Sequence, residues 1–353
     1  MKKLSLLVLS LLLAVAYSFA QAPQAHPKNL NWIPGEPQTG GRAASVFLKG
    51  DYIELGIDVY GSCGTLVPPP AGYHNYATYS GLGFVADHNL DGWANGSPKP
   101  YSGDYFLPGY PWEAWLCEYT YLGSEYTFVN CGADYIEDVP QTSLTNTSAG
   151  SENSAVWIGT ATGGGQFLEV EQTFHFMNSD GKFYIDVTLT NTGRSPLQDV
   201  EYARAVDPDQ EVDLGGDFVT INYVSSQPSG PNTLAEVIGY GPDFGVPMAL
   251  QLDHPNAKAH VVPDELAIYS PNEPLDQTFA PTQAAPYVND VGVAVAVRFP
   301  LLNPGESETF TVVYLLNQED VPPPVDVPIS NWALALMIGL IVIFTIIRFK
   351  RMN

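Results

Sequence analysis

Lys182-Phe-Tyr-Ile-Asp-Val-Thr-Leu-Thr190 alternates at every step: Phe183, Ile185, Val187 and Leu189 fall on one side of an extended chain, Tyr184, Asp186, Thr188 and Thr190 on the other. Successive side chains of a β-strand point to opposite faces, so the stretch reads as an antiparallel strand with one face buried. The pattern recurs at Tyr52–Val59, Phe167–Phe176, Asp199–Val206, Val291–Phe299 and Glu308–Leu316. Turn clusters such as Asn191-Thr-Gly-Arg-Ser-Pro196 and Asn303-Pro-Gly-Glu306 lie between them. No internal stretch of ten or more residues carries an apolar 3.6-residue period, and 30 Pro with 32 Gly suit many short strands joined by loops. The expectation is an all-β body over 42–317. It is a large antiparallel β-sandwich, either one supersandwich or two packed sandwiches with a sub-boundary in the polar stretch 142–154.

The two ends read differently. Lys2-Lys3, the apolar Leu4–Ala16 and Ser18-Phe19-Ala20 form the three parts of a cleaved signal peptide over 1–20. Residues 21–41 read as an irregular leader. Near the other end, 318–331 with Pro322-Pro-Pro324 reads as a stiff stalk. Residues 332–347 then form an uncharged apolar run, about 24 Å long as a helix, and Arg348, Lys350 and Arg351 follow it. That is slightly short for a hydrocarbon core of about 30 Å, but Trp332 and the basic residues suit the two interfaces. The positive charges predict a cytoplasmic tail over 348–353 and an exported body anchored in the cell envelope.

The tail Val327-Pro328-Ile329-Ser330-Asn331-Trp332, membrane helix and basic cluster resembles the bacterial C-terminal sorting signals of the PEP-CTERM and IPTL-CTERM kind. The motif is one residue shorter than the IPTL-CTERM pattern and lacks its Thr-Leu pair. The resemblance implies a membrane sorting peptidase as partner, cutting near the motif and moving the body to the cell surface. A plain, uncut membrane anchor is the other reading.

None of the 38 Asp/Glu lies in 1–20 or 332–353, whereas five of the 14 Lys/Arg do, so the body sets 38 acids against nine bases, a net of 29 negative charges. Such a field repels phosphate backbones and excludes nucleic acid as a partner. It suits solubility or cation binding. Three cysteines fit an oxidising compartment without a disulfide-dense scaffold. Cys117 and Cys131 flank Leu122-Gly-Ser-Glu125 symmetrically, which predicts a hairpin carrying a Cys117–Cys131 bridge, with Cys63 left over.

Asp87-His-Asn89-Leu-Asp91-Gly92-Trp93 matches the first half of a calcium loop, with side-chain oxygens at positions 1, 3 and 5 and a backbone carbonyl at 7. Position 12 is Pro98, so the usual bidentate carboxylate is missing, and Asp104 is the candidate replacement. An Asx-capped surface turn is the competing reading. A second acidic run, Asp207, Asp209, Glu211 and Asp213 at a strand end, offers metal ligands, an acid/base pair for glycoside chemistry, or an ordinary loop. Arg204 on the same strand is placed to pair with one of its carboxylates. Ten aromatics between Tyr101 and Phe128, including Trp112 and Trp115, suit either sugar stacking or a sandwich core.

The chain has no G-x-S-x-G, H-E-x-x-H, P-loop or zinc spacing. The expected function is therefore a non-enzymatic surface protein with a structural or adhesive role, holding an extracellular glycan or protein ligand and with calcium as its one candidate cofactor. The alternative is a carbohydrate-active enzyme or glycan-binding module on a mutarotase-like β-sandwich, using Asp207, Asp209 and Glu211 with walls from Trp112 and Trp115.

Overall fold

Fifteen of the strands form two antiparallel sheets that share one core. The computed structural model describes residues 45–65, 67–74, 81–93, 103–108, 112–132, 136–262 and 286–321. Their strands are β1 Val46–Lys49, β2 Ile53–Ile57, β3 Phe84–Ala86, β4 Glu113–Tyr121, β5 Ser124–Cys131 and β6 Ile136–Glu137. Next come β7 Gln141–Asn146, β8 Glu152–Gly163, β9 Gln166–Met177, β10 Lys182–Asn191, β11 Leu197–Val206 and β12 Thr220–Ser226. The set ends with β13 Leu234–Tyr240, β14 Pro247–Asp253, β15 Ala257–Val262, β16 Tyr287–Asn289, β17 Gly292–Leu302 and β18 Ser307–Leu315. A nine-stranded sheet runs β16-β12-β13-β14-β18-β10-β9-β8-β7, and a six-stranded sheet runs β15-β17-β11-β4-β5-β6. A small third sheet, β1-β2-β3, packs through β1 on β7 and β8.

The alternation in 182–190 has the effect expected of it. Phe183, Ile185, Val187 and Leu189 are fully buried, while β10 lies between β18 and β9 in the middle of the larger sheet. Rings join the two sheets across the core: Trp115 of β4 meets Trp157 of β8 edge-on at 5.2 Å, and Tyr202 of β11 meets Phe310 of β18 at 5.3 Å. The body is thus one β-sandwich. Residues 142–154 do not divide it, because they form the β7–β8 hairpin at the edge of the nine-stranded sheet. β7 is polar because its strand is an edge with much of it exposed.

The predicted hairpin is present, but its turn is shorter than the sequence suggested. Tyr121 pairs with Ser124, leaving Leu122-Gly123 as a two-residue loop with φ of 52° and 77°. Positive φ at both positions is the type I′ geometry that suits the twist of two strands. This register sets Cys117 opposite Phe128 and Cys131 opposite Ala114. The shift of three residues is odd, so the two cysteines lie on opposite faces of the sheet, Cys117 in the main core and Cys131 in the cluster behind it. The expected Cys117–Cys131 bridge is therefore corrected: all three cysteines are buried thiols.

The stalk also begins later than expected. Gln318 donates its amide N–H to the His88 carbonyl and its side chain to the Gly245 carbonyl, and Val321 is buried, so 318–321 belong to the body. The signal peptide, the leader, the sorting motif with Val327, Pro328 and Trp332, the apolar run 332–347 and Arg348, Lys350 and Arg351 lie outside the described residues. Among the described residues no helix is long and apolar enough to cross a membrane.

Candidate functional site

At one end of the six-stranded sheet, the finish of β11, the start of β4 and the start of β17 come side by side: Val206 pairs with both Glu113 and Val293. The chain leaving β11 is held there by backbone bonds, Asp207 N–H to the Trp112 carbonyl at 3.0 Å and Asp209 N–H to the Tyr105 carbonyl at 2.6 Å. Asp290 arrives just ahead of β17. Carboxylate oxygens of Asp207, Asp209 and Asp290 consequently lie within 4.8 Å of one another, and all three residues are buried. Among the described residues this is the only such group of potential ligands.

Of the four acids read from the sequence at this strand end, Asp207 and Asp209 reach the cluster. Glu211 and Asp213 do not. Glu211 turns to the 241–246 loop, where its carboxylate accepts the N–H groups of Asp243, Phe244 and Val246 at 2.7, 2.8 and 3.0 Å. Asp213 accepts the Asp104 N–H at 3.1 Å. Asp290 was missed because it stands some eighty residues downstream, and only the β11–β17 pairing brings it near.

Arg204 does not pair with these acids. It points between the sheets, fully buried, with Nε 2.5 Å from Glu113 Oε1 and Nη1 2.6 Å from Gln172 Oε1. Tyr314 donates its hydroxyl to the same Glu113 oxygen at 2.7 Å, and the Cys63 N–H donates to Oε2 at 2.6 Å. Burial works against the guanidinium charge, but the Glu113 carboxylate beside it holds its pKa well above the ordinary value. Burial likewise pushes the Glu113 carboxyl up, against the pull of Arg204, Tyr314 and the Cys63 N–H. Nearby, Asp58 is raised well above the usual carboxylate range by burial, despite N–H donors from Ser62 and Tyr60.

Asp104 is not part of the Asp87 loop either. Its Oδ2 accepts the Gly83 N–H at 2.7 Å and its Oδ1 the Phe106 and Leu107 N–H groups at 3.3 and 3.2 Å, so it caps a buried turn. Burial raises its pKa to about 7. Asp87 lies inside its own loop, while Asn89 and Asp91 stand at the surface and Trp93 stacks on His74 at 4.1 Å. The aromatic run is mostly core: Tyr105, Phe106, Trp112, Trp115 and Tyr119 are buried, and the Trp115 indole donates to the Tyr60 carbonyl at 2.9 Å. Trp112 meets Asp207 through its backbone carbonyl, while its ring belongs to the apolar cluster behind the six-stranded sheet. Tyr101 and Tyr110 lie outside the described residues.

No family model matches the chain, and no curated protein matches it in sequence. Solved structures do. One is a putative aldose 1-epimerase from Escherichia coli K12, 12% identical, covering 77% of this chain and 98% of that one with a TM-score of 0.34. Another is a galactose mutarotase-related enzyme from Lactobacillus acidophilus, 8% identical, with coverage of 77% and 97% and a TM-score of 0.35. A third is an α-mannosidase from Enterococcus faecalis V583, 10% identical over 76% of this chain and 29% of that one, TM-score 0.37. The β-sandwich itself rests on the strand pairing described above. The expectation of a body without catalysis is corrected here. Three buried carboxylates converge at one sheet end, two of them from the acidic run read in the sequence.

Proposed function

We propose that the body is a carbohydrate-active module whose chemical centre is Asp207, Asp209 and Asp290. The observation that carries this reading is their convergence, buried, at three strand ends beside Trp112. Two full negative charges within 4.8 Å repel by roughly 3–4 kcal/mol at an effective dielectric of about 20. Paired carboxylates at one site are the groups that divide acid and base work in sugar chemistry. An ionised member can then take a proton from a sugar hydroxyl while a protonated one gives a proton to the ring or leaving oxygen. The oxygens are closer than the carboxyl separations of about 5–5.5 Å in retaining and about 6.5–9.5 Å in inverting glycosidases. That spacing favours direct proton transfer on a sugar over activation of an intervening water. A divalent cation held by the same three oxygens is the second reading, because opposite charge would also relieve the cluster.

The test is polarimetry of freshly dissolved aldoses, with reducing-sugar release from glycosides run in parallel. Acceleration that falls by about 10²-fold or more in Asp209→Asn and Asp290→Asn is expected from loss of general acid/base groups. Calorimetric binding of the same sugars without turnover would make this a glycan-binding module. Neither turnover nor binding by the folded protein would overturn the reading.

The proposal places this body outside the cell on a C-terminal anchor, supported by the signal-like 1–20, the apolar 332–347 and the basic 348–353. Deleting 348–353 should weaken membrane retention in fractionation. If the tail is sorted, mass spectrometry of the surface form should find no peptide beyond Trp332.

A further inference from the structure

We propose that the loop Asp87–Trp93 binds calcium, at a site separate from the Asp207 cluster. The loop leaves β3 with the Asp87 N–H bonded to the Tyr52 carbonyl at 2.9 Å. It then folds back on the Asp87 side chain: Oδ2 accepts the N–H groups of Gly92 at 2.7 Å and Trp93 at 2.9 Å, and Leu90 N–H donates to the Asp87 carbonyl at 2.9 Å. Gly92 has φ of 82°, the left-handed conformation that a glycine at position 6 supplies for the sharp turn. Those contacts alone would describe a capped turn.

The second carboxylate oxygen is what a turn does not explain. Asp87 is 1% exposed, and its Oδ1 is buried with no hydrogen-bond partner. Because Oδ2 is pinned by two N–H groups of the same loop, the buried Oδ1 of that carboxylate is held beside the turn. A buried carboxylate oxygen without a donor is costly, and a cation removes the cost. Asn89 and Asp91, at positions 3 and 5, stay at the surface and can close over an ion there. The backbone at Trp93 is fixed by its indole, which donates to the Asp51 carbonyl at 2.5 Å, and by the stack on His74. Asp87, Asn89, Asp91 and the Trp93 carbonyl supply four oxygens of the six to eight that calcium takes, with waters completing the shell. Hard oxygen donors of this kind suit calcium over a softer metal. Without a bidentate carboxylate, the affinity belongs to the weak extracellular range, a Kd of about 10⁻⁴–10⁻³ M.

Two measurements on the purified full-length chain test this. At calcium ten times the Kd, the folding equilibrium constant should rise about 11-fold over that in equal magnesium. Magnesium is the control for general screening of the chain's 24 net negative charges, since it demands a tighter shell and sheds water reluctantly. In Asp87→Asn the amide oxygen can still accept from Gly92 and Trp93, so the turn is kept while the Oδ1 ligand is lost. The calcium-specific shift should vanish in that variant. Terbium, used as a calcium mimic, should show luminescence sensitised by the adjacent Trp93, absent in Asp87→Asn. No calcium-specific shift, or one that Asp87→Asn leaves unchanged, overturns the proposal.

Discussion

Arg204 and Asp207 stand three residues apart on and just beyond β11, and both are fully buried, yet their surroundings are opposite in kind. Arg204 faces a complementary set: Glu113 for its charge, Gln172 and the Tyr202 and Tyr314 hydroxyls for its remaining donors. Asp207 shares its space with two further carboxylates. A buried charge that is paired and hydrogen-bonded has its desolvation cost offset; a buried set of like charges costs stability and is where chemistry is to be sought. Three residues of strand separate a structural group from a functional candidate.

The largest effect should come from breaking the paired side. Arg204→Ala leaves Glu113 buried without its cation and should destabilise the fold by about 3–5 kcal/mol in denaturant unfolding at neutral pH. Arg204→Met combined with Glu113→Leu should recover most of that loss, because an apolar pair of similar size is often as stable as a buried ion pair. If the double variant is no better than the single one, Arg204 is acting through packing against Phe174, whose ring lies 5.2 Å from its guanidinium, and not through charge.

Asp104 is the intermediate case, a single acid held by three N–H donors but raised to about 7 by burial, with Asp213 adding to the rise. A carboxyl with a raised pKa in the folded state favours folding only while protonated. Its contribution is therefore full below about pH 4 and is lost as pH rises towards about 7, by at most about 4 kcal/mol. Asp104→Asn should flatten that part of the stability-versus-pH curve, even though it costs stability overall by setting an amide against the Gly83 N–H. An unchanged slope would mean that Asp104 titrates near its ordinary value.

The like-charge side should answer with the opposite sign. Asp290→Asn removes one of three crowded charges and should raise stability at pH 7 by about 1–3 kcal/mol at an effective dielectric near 20. A loss of stability at pH 7 would show that Asp290 is held by partners worth more than the repulsion, and would erase the contrast with Arg204.

The sequence made one half of this contrast easier to see than the other. Strand alternation needs only local residues, so β9, β10, β11, β17 and β18 were legible with little error at their ends. An arginine on the apolar phase of a strand, between Tyr202 and Val206, was a signal of a buried ion pair, but nothing local names Glu113 as its partner. Asp207 and Asp209 were visible as acids at a strand end. Asp290 and the exclusion of Glu211 depend on which strands pair and on the 241–246 loop offering its N–H groups to Glu211, and neither is written in one segment. The cysteine pairing failed for a smaller reason. Leu at a left-handed position does not announce a two-residue turn, and a three-residue error in register moves a side chain to the other face.

That same turn supplies the smallest prediction and a control for the rest. Leu122 has φ of 52° and is 85% exposed, so its side chain contributes no packing to offset an unfavourable backbone conformation. Asn tolerates left-handed φ, and Asn-Gly is the favoured pair for a type I′ turn. Leu122→Asn should therefore stabilise the protein by about 0.5–1 kcal/mol, part of it by easing strain at that position. The turn joins β4 to β5 at Leu122-Gly123, the other end of β4 from Glu113. Its effect should add to those of the Arg204 and Asp290 substitutions within about 0.5 kcal/mol in double variants. An additive result would keep the Arg204 and Asp290 effects as local measures of their own surroundings. Strong coupling would mean instead that β4 transmits strain along its length, and that the opposite signs expected at its other end report on strand position more than on charge.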